Sequence, residues 1–318
     1  MEQPAWPARD PDLTPPPAPR PPAAGRAVTA AAVVIVLVLG VVTGVAAATV
    51  AQRMLAVEGL AVPAVDHRPT EPQRLPTEQE PEIRRVLKLA DHPILAAGVT
   101  LPEVTCELPR FRRDVASLRQ YYGSLVDCLD TAWHPVLSAG KMPAGRPMLN
   151  LAEHPGETGC GNPDEDGEGE FTALYCPADE TLYLPVDRLK EVDGGSASSH
   201  LAIVAHEYAH HVQEQSGMLL ASAEEIDDAG AGTPAGQELS RRIELQANCF
   251  AGLFLAAAAG QGSISRNLAD QAVGDFRHGG LHDTHGNKAN QAEWARRGYR
   301  QGTLAACNTW AAPADEVS

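Results

Sequence analysis

Apolar residues recur at three- and four-residue steps through Phe111, Val115, Leu118, Tyr122, Leu125, Leu129 and Trp133, the stripe of an amphipathic helix. Residues 198–215 predict a second helix, with the preceding SASS able to supply an N-cap. A third, residues 237–259 (QELSRRIELQANCFAGLFLAAAA), is apolar enough to be buried and stops at Gly260. Residues 288–304 predict a fourth. Between the first and second helices lie strand candidates at Met148–Ala152, Phe171–Tyr175 and Thr181–Leu184, the last two joined hairpin-fashion around Pro177–Glu180. The pattern is that of a mainly helical α+β domain with a small β-sheet. No internal repeat is visible.

Upstream the pattern changes. From Ala27 to Ala51 there is no charged residue (AVTAAAVVIVLVLGVVTGVAAATVA), and about 20 apolar residues suffice to span a bilayer as a helix. A cleaved signal peptide is the alternative, since Ala46-Ala47-Ala48 offers small residues. Its apolar region is about 7–15 residues, however, so a retained single span over 27–51 is expected. Residues 1–26 hold nine prolines and no net charge, which predicts a disordered tail. Residues 52–84, punctuated by Pro63, Pro69, Pro72, Pro76 and Pro81, read as a linker, and 85–312 as the folded domain. Arg9, Arg20 and Arg26 before the span, against Arg53 and Arg68 after it, favour a cytoplasmic N-terminus.

Charge and cysteines add a compartment. Of 25 basic and 41 acidic residues, all but four and three respectively follow Arg53, leaving that part at −17. Such acidity argues against nucleic-acid binding. All six cysteines (106, 128, 160, 176, 249, 307) follow the span, and no C-x-x-C supports the rival zinc-thiolate site. Disulfides are therefore expected, with neighbours pairing as Cys106–Cys128, Cys160–Cys176 and Cys249–Cys307, and the domain outside the cytoplasm.

The chemistry is concentrated in His206-Glu207-Tyr208-Ala209-His210, an H-E-x-x-H on the second helix. Residues four apart share a face, so both imidazoles can meet one zinc ion, while Glu207 can reach a metal-bound water as general base. A histidine-rich solvated face is the bland alternative. A catalytic zinc needs a third protein ligand. No third histidine follows at metzincin spacing, and Glu244 stands in the most apolar helix, where an unpaired carboxylate is costly. An ion pair with Arg241 or Arg242 is the structural alternative for Glu244. Asn248, one turn on, is placed to orient a ligand histidine. Tyr208 and His211 read as packing or surface groups. The acidic segment 162–170 has calcium-loop spacing at its start, but Ala173 stands where the bidentate Glu belongs, so a solvated loop is expected.

These residues carry a resemblance. LYCPADETLYL (174–184), HEYAHH (206–211), ELQANCFAG (244–252), Thr284-His285-Gly286, Gln291, Trp294 and Cys307-Asn308-Thr309-Trp310 occur in the order seen in the bacterial neutral zinc metallopeptidases of the YpfJ-like type. The resemblance covers most of residues 95–310. It implies a zincin-like domain with Zn2+ on His206, His210 and Glu244, Glu207 as catalytic base, and His285 as a candidate oxyanion donor. The family usually has Asp where this chain has Asn248. Together these readings give a membrane-anchored, extracytoplasmic zinc metallopeptidase acting on peptide or protein substrates. A catalytically silent zinc-binding surface protein is the alternative.

Overall fold

Helix boundaries in the computed structural model follow from capping residues that the apolar periodicity alone does not locate. It describes residues 88–152, 154, 156–161, 173–189, 195–278 and 284–318. The tail, the 27–51 span, the linker and the 162–170 loop lie outside the described residues. Among those described, no helix is long and apolar enough to cross a membrane.

Helix α1 (Val115–Ala139) starts at Asp114, whose side chain accepts from Ser117 N–H, and not at Phe111. Phe111 instead lies before the helix, edge-on to Tyr121 and His200. After a single turn, α2 (Val186–Leu189), comes α3 (Ala197–Gln215), capped by Ser196 as its serine run predicts. Helix α5 (Pro234–Ala258) begins with Thr233 as N-cap and Pro234 in its first turn, where a missing N–H costs nothing. Helix α7 (Lys288–Gln301) ends three residues before the expected 304, because Gly302 adopts φ 65°.

Besides the single turn of α2, two described helices have no counterpart in the periodicity: α4 (Met218–Ala229) and α6 (Arg266–Asp275). Each fully buries only a few residues, Met218 and Ser222 in α4, Ala269, Ala272 and Val273 in α6. Neither presents a broad apolar stripe.

The sheet has three strands, β1 (Met148–Asn150), β2 (Leu174–Cys176) and β3 (Thr181–Tyr183), in the order β1-β3-β2. β3 is parallel to β1 and antiparallel to β2. Tyr175 opposes Leu182, between the hydrogen-bonded pairs on either side, so its N–H points away from β3 toward α3.

The core forms around α5, which packs against α3 and, most extensively, α7. Trp133 of α1 meets Phe250 of α5 at 5.2 Å between ring centres. All six cysteines are paired: Cys106–Cys128, Cys160–Cys176 and Cys249–Cys307. The third bond ties α5 to the C-terminal segment. That segment runs on to Val317, fully buried, whose carbonyl accepts from Arg241 Nε at 2.8 Å.

Candidate metal centre

His206, Glu207 and His210 lie mid-way along α3, and the two histidines face Glu244 of α5. The i, i+4 spacing brings the two imidazoles together at 4.7 Å between centres with planes at 88°. Their Nε2 atoms stand 3.2 Å apart. Glu244 Oε2 lies 3.3 Å from His206 Nε2 and 3.4 Å from His210 Nε2. In a tetrahedral zinc site with bonds of about 2.0–2.1 Å, ligand atoms are separated by roughly 3.3–3.4 Å. The triangle formed by these three atoms has that size.

Two further observations fit a cation at this point. Glu244 Oε2 is buried, and no donor reaches it with hydrogen-bonding geometry. Burial would raise the Glu244 pKa, but the imidazoles of His210, His206 and His285 hold it well below the usual carboxylate range. Burial would likewise lower that of His210, yet the Glu244 carboxylate more than offsets this and pushes it up to about 9. The centre therefore draws positive charge onto itself when only protons are available. The donor set, two imidazoles and one carboxylate, suits zinc.

The ion pair weighed for Glu244 is not what forms. Arg242 pairs with Glu238 at 2.7 Å and donates to the carbonyls of Thr309 and Ala312. Arg241 Nε reaches Val317 O.

Neighbouring groups orient the centre. His206 Nδ1 lies 2.8 Å from Asn248 Oδ1, the contact expected one turn beyond Glu244. His210 Nδ1 lies 2.8 Å from Gln213 Oε1, a partner the motif alone did not single out. Glu207 is nine-tenths buried and its Oε2 accepts from Tyr175 N–H at 2.9 Å. The edge strand thus holds one carboxylate oxygen beside the triad. His285 Nε2 lies 3.5 Å from Glu244 Oε2, and its Nδ1 is 3.0 Å from Thr284 Oγ1. Tyr208 and His211 pack away from the centre: Tyr208 OH donates to Asp130 at 3.2 Å, and His211 lies between Tyr175 OH and Gly145 O.

Residues 113–310 match the family described as "putative neutral zinc metallopeptidase". The chain belongs to this family. As a member of the zinc metallopeptidase family it is 31% identical over 185 residues to uncharacterized protein YpfJ of Escherichia coli K12, across 52% of this chain and 62% of YpfJ. It is 32% identical over 213 residues to uncharacterized protein Rv2575 of Mycobacterium tuberculosis H37Rv, across 58% of this chain and 68% of the relative. The chain thus spans less than two thirds of YpfJ. No solved structure matches it. The metallopeptidase match runs from just before α1 to Trp310 and takes in His206, Glu207, His210, Glu244, Asn248 and His285.

Proposed function

We propose that this chain is a zinc-dependent peptidase whose folded domain lies outside the cytoplasm, held to the membrane by residues 27–51. The observation that carries the reading is the buried Glu244 Oε2, without a donor, in a tetrahedron-sized triangle with the Nε2 atoms of His206 and His210. These three residues would hold zinc. Bound zinc supplies a Lewis acid for the scissile carbonyl and lowers the pKa of water at its open position.

The rest is done by the chain. Glu207, anchored through Oε2 to the β2 backbone, keeps Oε1 to accept the proton of the attacking water and pass it to the leaving amine. His285, partly exposed and with its Nε2 3.5 Å from Glu244 Oε2, is placed to donate toward the oxygen that gains charge as the carbonyl is attacked. The uncharged 27–51 run supports the membrane anchor, and three closed disulfides support an oxidising compartment.

Metal analysis with a peptide-cleavage assay on wild type and Glu207→Gln tests this. The wild type is expected to bind one zinc and cleave. Glu207→Gln should bind zinc equally and lose activity by at least a hundredfold, within the usual reach of general-base catalysis. Equal zinc binding with no cleavage by either protein would favour the silent binding module. Undiminished activity in Glu207→Gln would refute the mechanism.

A further inference from the structure

Gln213 is fully buried on α3, three residues after His210, and both ends of its amide are engaged. Its Nε2 donates to the Ile243 carbonyl at 2.9 Å and to Gln246 Oε1 at 3.1 Å. A main-chain carbonyl can only accept, so the end facing Ile243 must be the NH2 group. The end facing His210 is then the amide oxygen, which also only accepts. His210 Nδ1, 2.8 Å from it, must carry a hydrogen. A neutral imidazole has one N–H, so the lone pair is on Nε2, the atom beside His206 Nε2 and Glu244 Oε2.

The next residue back repeats the logic. Gln246, also fully buried, donates through Nε2 to Cys307 O at 3.2 Å, which leaves its Oε1 toward Gln213. The relay therefore has one direction only, from His210 through Gln213 and Gln246 to the Cys307 carbonyl. Cys307 is bonded to Cys249, the neighbour of Asn248, which in turn meets His206 Nδ1. Turning the Gln213 amide over would set its NH2 against a ring N–H and its oxygen against the Ile243 carbonyl. Both contacts are repulsive.

From this we infer that Gln213 is a positioning residue for the metal centre, fixing the ring orientation and Nδ1–H tautomer of His210, with Gln246 and the Cys307 carbonyl keeping its amide from turning over. The inference rests on the zinc reading above. It adds a determinant of metal affinity that is neither a ligand nor part of the H-E-x-x-H motif. Outer-shell partners of this kind change metal affinity by about 10–100-fold.

Zinc dissociation constants of the full-length chain, measured by competition with a chromogenic chelator, test it in wild type, Gln213→Met and Glu244→Gln. Methionine keeps the bulk of glutamine and removes its acceptor. Gln213→Met is expected to bind zinc about 10–100-fold more weakly while its circular dichroism stays that of the wild type. Wild-type affinity in folded Gln213→Met, even with a lower melting temperature, would mean a merely structural residue and would overturn the inference alone. Wild-type affinity in Glu244→Gln would mean that zinc binds elsewhere and would overturn the metal reading with it. A measurement on the wild type covers the case in which Gln213→Met does not fold. In long-range 1H–15N spectra of the zinc-loaded protein, His210 should show its proton on Nδ1. A proton on Nε2, with the metal at Nδ1, would overturn the assignment.

Discussion

Adding one methyl group at Gly252 or Gly298 should destabilise the domain, although helix propensity predicts the opposite. The two glycines face each other's helices across the α5–α7 contact. A Cβ on Gly252 would lie 2.1 Å from the Ala295 carbonyl oxygen, and one on Gly298 would lie 2.1 Å from the Cys249 carbonyl oxygen. Ordinary contact begins near 3.4 Å, and the obstructing atoms are backbone, so the helices must part by roughly 1 Å. Overpacking of this kind costs about 1–3 kcal/mol, sometimes more, against about 1 kcal/mol gained by replacing a helical glycine with alanine. With a backbone-on-backbone clash the upper end applies, for a net loss of about 2 kcal/mol. At this domain size that lowers Tm by roughly 4–8 °C. Gly123 of α1 and Gly274 of α6 are internal controls: nothing lies within 4 Å of either Cβ, so Gly123→Ala and Gly274→Ala should be neutral to stabilising. Thermal unfolding followed by circular dichroism reads all four. Gly252→Ala and Gly298→Ala shifting Tm in the same direction as the controls would refute the close-contact argument.

Three further outcomes are expected. Burial pushes the His200 pKa down to about 4 and lowers those of His92 and His211; between the unfolded value of 6.5 and pH 4 the unfolded chain binds more protons, so stability is full above pH 6.5 and falls with acidification. His200 alone accounts for about 3 kcal/mol by pH 4, and urea midpoints that are no less pH-dependent in His200→Gln would contradict this. The Cys249–Cys307 bond spans 58 residues, so Cys249→Ala with Cys307→Ala should cost ~4 kcal/mol in chemical denaturation, and a loss under 1 kcal/mol would refute the loop-entropy account. Free zinc at a hundred times its dissociation constant should stabilise the wild type by about 2.7 kcal/mol, an increment that chelation abolishes; its persistence in Glu244→Gln would count against the proposed ligands.

What could be read from the sequence about the fold depended on the width of each helix's apolar stripe. Helices α1, α3 and α5 bury apolar runs, such as Leu118, Tyr122, Leu125 and Leu129 in α1, that are visible as periodicity, whereas α7 buries Gln291, Ala292, Trp294, Ala295 and Gly298. Helix α6 touches the core mainly through alanines, and RNLADQAVGD is polar overall; its only local signal is Ser265, whose hydroxyl accepts from Leu268 N–H. Helix α4 lies between Gly217, at φ 77°, and Gly230, with only Met218 and Ser222 buried. The overrun at α7 has a similar cause. Leu304 continues the apolar spacing and is buried, but it lies in a separate 3-10 turn beyond Gly302, and periodicity does not register the break.

The centre was legible where residue type alone restricts the options and hidden where the partner is an amide or the backbone. Histidines four apart, and a carboxylate in an apolar helix, announce themselves because each is costly to leave unmatched. Gln213, Gln246 and the Tyr175 N–H give no comparable alarm, since a glutamine on a helix is ordinary and a strand N–H carries no letter of its own. Yet they determine how the legible residues are used. Both imidazoles of the triad lean on neutral amides, Asn248 for His206 and Gln213 for His210. An amide oxygen fixes a ring without drawing its Nδ1 proton as strongly as a carboxylate would, so it orients the ring while raising its basicity less. The negative charge of the triad and its adjoining base is left to Glu244 and Glu207, whose surroundings differ. Glu244 Oε2 faces the Nε2 atoms of three imidazoles, whereas Glu207 Oε2 accepts from the edge-strand N–H of Tyr175. On the proposed reading, that difference in partners separates a ligand, Glu244, from a base, Glu207, in two residues of the same type.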